Sequence, residues 1–255
     1  MGIRLALIGD PVDHSRSPAL HAAALEAVGL EGSYETIRGG SSELEQAVEA
    51  LRDGTLDGVN VTMPLKMVAA GIADRLTADA AAAGSVNTLW KQNGEIWGDS
   101  TDVAAIAQEA ARLPLLPVLV LGSGGAARAA VTALERDSRP LYIAARRRLA
   151  ADAIQSLRPG VAVIGWGTAV AGAILVNATP LGMRGENLPA MEAAAALIDL
   201  AYGEGVTTAV ACAQARGVPF VDGIAVLVAQ GILSFRRWTG LEPPHHPLEV
   251  AARKH

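Results

Sequence analysis

Several features that define whole classes of protein are scarce in this sequence of 255 residues. Cys212 is the single cysteine, which excludes a disulfide framework and a zinc site built from cysteines. The formal net charge of −5 lacks the basic excess that binding to nucleic-acid phosphates requires. The apolar runs, such as residues 115–121, are far shorter than the ~20 residues of a membrane-spanning helix. We therefore expect no nucleic-acid partner and no membrane segment.

Two further kinds of site find no support in the sequence. The histidines at positions 14, 21, 245 and 246 lack the carboxylate pattern of a metal site, so no metal is predicted. A serine nucleophile of the Gly-x-Ser-x-Gly type is also missing. No signal-peptide pattern follows the first apolar run, and with the lone cysteine this predicts a reduced, cytoplasmic protein.

Short apolar strands alternate with helical segments along the chain. Residues 3–8 and 118–121, for example, have the composition of buried strands, and each precedes a helical pattern. Prolines within residues 114–117 indicate a boundary between two domains. The alternation predicts the α/β class. Near the C-terminus, the prolines within residues 243–247 are expected to break the last helix, 224–238, ahead of a short basic tail.

Residues 58–66 place three different polar groups close together. Two valines alternate with Asn60 and Thr62, which predicts a short strand. Pro64 ends that strand because proline has no N–H to donate, and Lys66 follows within one turn. An amide, a hydroxyl and an ammonium group therefore reach the C-terminal edge of a strand, where ligands bind in α/β proteins. The alternative is an ordinary strand exit with a solvated lysine.

Lys66 and Asp102 form the candidate acid–base pair. Both follow predicted strands in the N-terminal half. Hydride transfer between an alcohol and a nicotinamide needs a group that takes or supplies the hydroxyl proton, and a lysine beside a carboxylate suits that task. The alternative for Asp102 is a helix-start residue that accepts from local N–H groups.

A possible anion site precedes the first helix. Ser17 followed by Pro18 predicts an N-cap with proline at the first helical position. Ser15 lies just before this point, among unpaired N–H groups that favour a negatively charged ligand.

A glycine-rich loop directly follows the predicted strand 118–121. In Gly122-x-Gly124-x-x-Ala127 the first glycine permits a tight turn, the second lets a pyrophosphate approach the backbone, and the small third residue allows helix–strand packing. The next strand leads into three arginines, 146–148, where folds that use NAD carry an acidic residue. Guanidinium groups suit a 2′-phosphate, so NADP is favoured. A ligand-free glycine turn and a solvated basic helix start are the alternatives.

Taken together, these segments resemble the shikimate dehydrogenase family, which includes shikimate/quinate dehydrogenases and close paralogues. The resemblance covers nearly the whole chain. The matching segments, in the order of the family, are Gly9-Asp10-Pro11, His14-Ser15-Arg16-Ser17-Pro18, Asn60-Val61-Thr62-Met63-Pro64-Leu65-Lys66, Ser85-Val86-Asn87-Thr88, Thr101-Asp102, Gly122-Ser123-Gly124-Gly125-Ala126, Asn177-Ala178-Thr179 and Gln230-Gly231.

The resemblance implies an N-terminal α/β substrate domain plus a Rossmann-like NADP-binding domain, with the active site in the cleft between them. Residues 1–102, completed by C-terminal helices in 224–255, would form the first domain, and residues 103–223 the second. The implied activity is the NADP-dependent, reversible reduction of 3-dehydroshikimate to shikimate in the chorismate pathway of aromatic amino acid biosynthesis. A monomer or a homodimer is expected.

The resemblance also implies a role for individual residues. Lys66 would be the acid–base residue and Asp102 its partner. The implied substrate-binding residues are Ser15, Ser17, Thr62, Asn87, Tyr202 and Gln230. The implied cofactor-binding residues are Gly122, Ser123, Gly124, Gly125, Ala126, Arg146, Arg147, Thr179, Met183 and Gly223.

The chain departs from the family pattern at a few positions. Ser100 stands where the family usually has asparagine, and Ala145-Arg146-Arg147 replaces the usual Asn-Arg-Thr/Ser. A quinate- or aminoshikimate-type dehydrogenase with altered substrate preference is therefore an alternative. Another is a module that senses NADP and a cyclic acid without turnover, although the presence of both Lys66 and Asp102 weighs against it.

Overall fold

The computed structural model describes residues 2–254, which form two compact α/β units. One unit comprises the residues up to Ala105 together with those from Leu227 onward, and the other comprises Ile106–Val226. The α/β class is therefore confirmed, while the assignment of one ligand to each unit stays a prediction. No helix within residues 2–254 is long and apolar enough to cross a membrane.

Twelve strands are assigned within these residues. They are β1 Ile3–Gly9, β2 Gly32–Arg38, β3 Gly58–Val61, β4 Arg75–Leu76, β5 Thr88–Gln92, β6 Glu95–Asp99, β7 Val118–Leu121, β8 Leu141–Ala144, β9 Val161–Val163, β10 Ile174–Asn177, β11 Ala196–Asp199 and β12 Phe220–Val221. The first six form one sheet and the last six another.

The helices surround these two sheets. They are α1 Ser17–Val28, α2 Ser41–Asp53, α3 Lys66–Ile72, α4 Ala78–Ala83, α5 Thr101–Ala110, α6 Gly125–Glu135, α7 Arg148–Leu157, α8 Thr208–Arg216, α9 Gly223–Thr239 and α10 His245–Arg253. A short 3₁₀ helix covers Met191–Ala193.

The first sheet is mixed, with the strand order β2-β1-β3-β5-β6-β4. β1 runs parallel to β2 and β3, whereas β5 is antiparallel to both β3 and β6. Because β5 runs the opposite way, its first residue lies at the edge where β1, β3 and β6 end. Residues that follow three strands and precede a fourth are thereby gathered at one edge, which is where the candidate acid–base pair lies.

Apolar side chains fill the core of the first unit. Leu44 and Leu51 of α2 pack with Ile8, Val59 and Val61 of the sheet, and all five are buried. α9 is joined to the sheet by a hydrogen bond from Trp238 Nε1 to the main-chain oxygen of Leu89, at 3.1 Å. α9 therefore has a fixed register against β5, and this register determines which of its side chains reach the sheet edge.

The C-terminal segment corrects one prediction. Residues after the proline-rich stretch were expected to be a basic tail, but α10 forms there and is joined to α1 by a bond from Arg16 Nη1 to the oxygen of Ala252, at 2.7 Å. Pro244 is the N-cap and Pro247 lies in the first turn. Proline is tolerated there because the first N–H groups of a helix have no partner within the helix.

The second sheet is entirely parallel, with the order β12-β11-β10-β7-β8-β9. When the strands of this sheet are numbered from β7, their order is that of a Rossmann fold, and the topological switch point lies between β7 and β10. Every residue of β7 and of β10 is buried, as expected of parallel strands covered on both faces. Ligands of such sheets bind at the carboxyl ends of the strands beside the switch point.

Candidate active site

Lys66 and Asp102 are in direct contact. Lys66 begins α3, Asp102 lies in the first turn of α5, and Lys66 Nζ donates to Asp102 Oδ2 at 2.5 Å. Only 17% of the lysine side chain and 12% of the aspartate side chain are exposed. This is a partly buried ion pair and not a solvated lysine at a strand exit. The two groups can hold a proton donor in a fixed position at the sheet edge.

Asn87 connects this pair to helix α9. Its Nδ2 donates to Asp102 Oδ1 at 3.1 Å and to Gln230 Oε1 at 3.0 Å. Its Oδ1 accepts from the main-chain N–H of Thr101 at 2.8 Å, which fixes the orientation of the carboxamide. Three of the predicted site residues, Asn87, Asp102 and Gln230, thus form one hydrogen-bonded chain.

Asn60 holds this series of hydrogen-bonded side chains in place. The Asn60 side chain is buried, and its Nδ2 donates to the main-chain oxygen of Asn87 at 3.0 Å. Its Oδ1 accepts from the Tyr34 hydroxyl at 2.8 Å. Because both ends of the Asn60 carboxamide are occupied by protein groups, the residue acts as a structural support in this arrangement.

Ser15, Ser17 and Thr62 lie at the same sheet edge, after β1 and β3, but none of them hydrogen-bonds to the Lys66–Asp102 pair within residues 2–254. The predicted N-cap is wrong by one position, since α1 is capped by Arg16 and begins at Ser17. The Ser15 hydroxyl accepts from the Ser17 N–H at 3.3 Å. Thr62 is fixed through its main chain, whose N–H donates to the oxygen of Ile8 at 2.8 Å.

The glycine-rich loop joins β7 to α6 at the switch point of the second sheet. Gly122 has φ +121°, and a Cβ there would lie 2.6 Å from the main-chain oxygen of Ala178. Gly124 is the N-cap of α6, and a Cβ there would meet nothing within 4 Å. Gly122 is therefore required by the fold, whereas Gly124 leaves open space in front of a helix N-terminus, as a bound pyrophosphate would need. Ser123, Gly125 and Ala126 complete this loop.

Two exposed arginines follow β8. The side chains of Arg146 and Arg147 form no hydrogen bond or ion pair with any residue in 2–254. Arg148, by contrast, is held on α7 by an ion pair with Asp152, with Nε 2.8 Å from Oδ1. Arg146 and Arg147 are therefore available to an anionic ligand at the strand end where dinucleotide folds bind the ribose.

Asp199 fixes the loops after β10 and β11. It accepts from Asn177 Nδ2 at 2.8 Å, from Thr207 Oγ1 at 2.5 Å and from the N–H of Ala201 at 3.1 Å. Burial raises the pKa of this carboxyl, and the bonds from Thr207 and Asn177 oppose the rise. Asn177 in turn accepts from the Thr179 hydroxyl at 2.6 Å. The buried network holds the loop at the end of β10 in one conformation.

The remaining predicted residues lie on these loops. Tyr202 is half-buried just after β11, in the second unit and not among the other predicted substrate-binding residues. Met183 is 38% exposed on the loop after β10. Gly223 begins α9, where a Cβ would lie 2.4 Å from the oxygen of Ala201. Within residues 2–254 no cluster of three or more histidine, cysteine or acidic side chains is suited to a metal ion.

Comparison with known proteins gives a consistent result. The family model described as the shikimate dehydrogenase substrate binding domain matches residues 7–89. A shikimate dehydrogenase (NADP(+)) from Methylobacterium radiotolerans is 38% identical, over 94% of this chain and 92% of the relative. The enzyme of the same name from Thermus thermophilus is 37% identical, over 99% and 98%. The chain belongs to the shikimate dehydrogenase family.

A solved member of the shikimate dehydrogenase family has the same fold. The crystal structure of shikimate 5-dehydrogenase from Thermus thermophilus, in complex with NADP(H) and shikimate, superposes with a TM-score of 0.89 at 37% identity. The match covers 99% of both chains. The family membership predicted from the motifs is therefore confirmed, as is a two-domain architecture of the shikimate dehydrogenase type.

Several buried polar residues around the site were not predicted for this member of the shikimate dehydrogenase family. Ser234 on α9 contacts the hydroxyls of Thr88 and Thr101, and His21 on α1 stacks on the Tyr34 ring. The spacing of four between Gln230 and Ser234 places both on one helix face and was the available signal. No sequence pattern distinguishes His21 from a surface histidine.

Proposed function

We propose that this protein is an NADP-dependent oxidoreductase that reversibly reduces 3-dehydroshikimate to shikimate. The observation that supports it most is the Lys66–Asp102 ion pair, bonded through Asn87 to Gln230 at one edge of the first sheet. The family relatives carry the same activity in their names. A place in the chorismate pathway of aromatic amino acid biosynthesis follows from this reaction.

In this proposal Lys66 moves the proton. Its ammonium group donates to the ketone oxygen during reduction, and its amine accepts from the hydroxyl during oxidation. Asp102 fixes Nζ at 2.5 Å and supplies the opposite charge. Asn87 and Gln230 contact the ring hydroxyls, and Ser15 with Ser17 binds the substrate carboxylate at the start of α1. Thr62 and Tyr202 complete the proposed substrate contacts.

The second unit has the features that an NADP site requires. Open space lies in front of Gly124 at the α6 N-terminus, and two exposed arginines follow β8. The residues proposed to hold the cofactor are the loop 122–126 for the pyrophosphate, Arg146 and Arg147 for the 2′-phosphate, and Thr179, Met183 and Gly223 for the nicotinamide end. When bound, the nicotinamide supplies or accepts the hydride.

The two glycines of the loop are expected to respond differently to alanine. Gly124→Ala places a methyl group in open space, so thermal stability should not change while the KM for NADP rises by about tenfold. Gly122→Ala should also unfold at lower temperature, because its φ of +121° and the Ala178 oxygen oppose a side chain. Melting curves and steady-state kinetics check both. An unchanged KM for Gly124→Ala would contradict the proposed pyrophosphate site.

Removing the two positive charges that follow β8 is expected to lower the preference of the protein for NADP over NAD. Replacing Arg146 and Arg147 with alanine should raise the KM for NADP by about tenfold to hundredfold, the size of a lost charge-assisted hydrogen bond, with little change for NAD. Arg148→Ala is the matched control, because Arg148 is already paired with Asp152. If the double variant kept the original ratio of the two KM values, the proposed 2′-phosphate site would be wrong.

A quinate- or aminoshikimate-type activity is the second candidate, and Ser100 is the residue that motivates it. Ser100 is only 1% exposed, and its N–H donates to Asp99 Oδ1 at 2.8 Å. Any effect of Ser100 on the substrate must therefore act through its neighbours. The values of kcat/KM for shikimate and quinate, each with NADP and NAD, distinguish the two candidates: a higher value for quinate would replace the leading proposal. Cytoplasmic location and a monomeric or homodimeric state stay predictions.

A further inference from the structure

Ser234 is a fully buried serine on α9 with an unusually complete set of hydrogen bonds. Its Oγ lies 2.7 Å from Thr88 Oγ1 and 3.1 Å from Thr101 Oγ1. It accepts from Asn60 Nδ2 at 3.2 Å and donates to the main-chain oxygen of Gln230 at 3.0 Å. One hydroxyl group therefore joins α9 to β3, β5 and α5 at the edge where the acid–base pair lies.

The direction of these bonds follows from counting hydrogens. Ser234 has one hydroxyl hydrogen, which goes to Gln230 because a carbonyl oxygen only accepts. The Thr88 hydroxyl, at 2.7 Å, then donates to Ser234 Oγ, and both Asn60 Nδ2 at 3.2 Å and the Thr101 hydroxyl at 3.1 Å lie within reach of the other lone pair of Ser234 Oγ. The Thr101 hydroxyl is also 3.2 Å from Asn87 Oδ1, a second acceptor for its hydrogen. The hydroxyls of Ser234, Thr88 and Thr101 therefore form one connected network that ends at the Asn87 carboxamide.

We infer that Ser234 is a positioning residue for the reaction proposed above, and the inference rests on that proposed function. Ser234 lies one helical turn after Gln230 and fixes that turn against β5 and α5. Gln230 Oε1 is thereby held 3.0 Å from Asn87, whose amide reaches Asp102. Because Ser234 is buried, it acts on the substrate only through these neighbours.

Ser234→Ala removes the donor to Gln230 and the acceptor for Thr88. We expect kcat/KM for shikimate to fall by about fivefold to tenfold, the size of one net hydrogen bond, while the KM for NADP is unchanged. Thr239→Val is the matched control. Thr239 lies on the same helix and donates in the same way to the oxygen of Phe235, four residues back at 2.8 Å, but it has no bond to the site network. The kcat/KM of the Thr239→Val variant should equal that of the unsubstituted protein.

The decisive test introduces the same substitution into an Asn87→Ala background. If Ser234 acts through Asn87, its loss should cost less than about twofold there, because the hydrogen bond between Asn87 and Gln230 that Ser234 positions is already missing. A serine that only stabilises the fold would cost the same factor in both backgrounds, which would overturn the inference. Equal kcat/KM for Ser234→Ala and the unsubstituted protein would overturn it as well.

Two further measurements distinguish a folding defect of the variant, and a lack of activity in the unsubstituted protein, from a failure of the inference. If Ser234→Ala does not fold, Ser234→Cys takes its place in both backgrounds, because a thiol has similar volume and forms only weak hydrogen bonds. We then expect a smaller loss of kcat/KM that again nearly disappears in the Asn87→Ala background. An equal loss of kcat/KM in both backgrounds contradicts the inference. Absence of turnover in the unsubstituted protein contradicts the proposed function itself, and the inference falls with it.

Discussion

Lys66→Met is expected to lower kcat for shikimate oxidation by about 10²-fold or more, the usual contribution of a positioned acid–base group. Methionine keeps the length of the side chain but can neither donate nor accept the proton. The hydroxyl proton would then have to leave without a fixed acceptor. The measurement is the initial rate of NADP reduction at saturating shikimate, compared between the variant and the unsubstituted protein.

The control for this prediction is Lys91→Met. Lys91 is an exposed lysine of the same unit, on β5, that donates to the main-chain oxygen of Arg52 and has no contact with the site. Its replacement should leave kcat unchanged. A Lys66→Met protein that retains the original kcat would show that Lys66 does not transfer the proton, whatever the rate of the control variant.

Acidification is expected to destabilise the protein through His21. The ring is fully buried and stacked on Tyr34, with the centroids 4.4 Å apart. Burial lowers the pKa of His21 from 6.5 to about 3, and the nearby Asn60 side chain opposes a smaller part of that shift. Between these values the unfolded chain binds the proton and the folded chain does not. The free energy of unfolding therefore falls as the pH drops below 6.5, with a slope that approaches roughly 1.4 kcal/mol per pH unit.

His21→Leu isolates this contribution from that of the other titrating groups. Between about pH 6.5 and pH 5, the unfolding free energy from urea titration should fall by about 1.6 kcal/mol more in the unsubstituted protein than in the variant. His14→Leu, at an exposed position, should behave like the unsubstituted protein. If His21→Leu lost the same free energy on acidification as the unsubstituted protein, His21 would not be the group responsible.

The parts of the fold that could be predicted are those in which local sequence and tertiary packing agree. β7 is a continuous apolar run because both faces of a parallel strand are buried, and Gly122 marks its end. The predicted strand 118–121 therefore matches β7, and the strand predicted just before the three arginines 146–148 matches β8. α10 was missed because prolines were interpreted as a break, although a first helical turn tolerates them.

The candidate site was only partly predictable, for a different physical reason. Lys66 and Asp102 stand in local motifs, so both could be selected from the sequence, and the structure brings them together. The support beneath them depends on polar side chains that are buried only because distant segments meet. Ser234 and His21 belong to helices whose local sequence gives no indication that Thr88 or Tyr34 lies opposite. Such pairings follow from the sheet topology and not from local patterns.

The central claim is turnover at the Lys66–Asp102 pair, as opposed to binding alone. The most direct test follows NADPH oxidation with 3-dehydroshikimate, while melting curves with NADP and with shikimate monitor binding to the same protein. The account predicts catalytic oxidation of NADPH in the unsubstituted protein, and in Lys66→Met the same ligand-induced rise in melting temperature with little turnover. Ligand-induced stabilisation without NADPH oxidation in the unsubstituted protein would contradict it and would indicate a module that senses NADP and a cyclic acid.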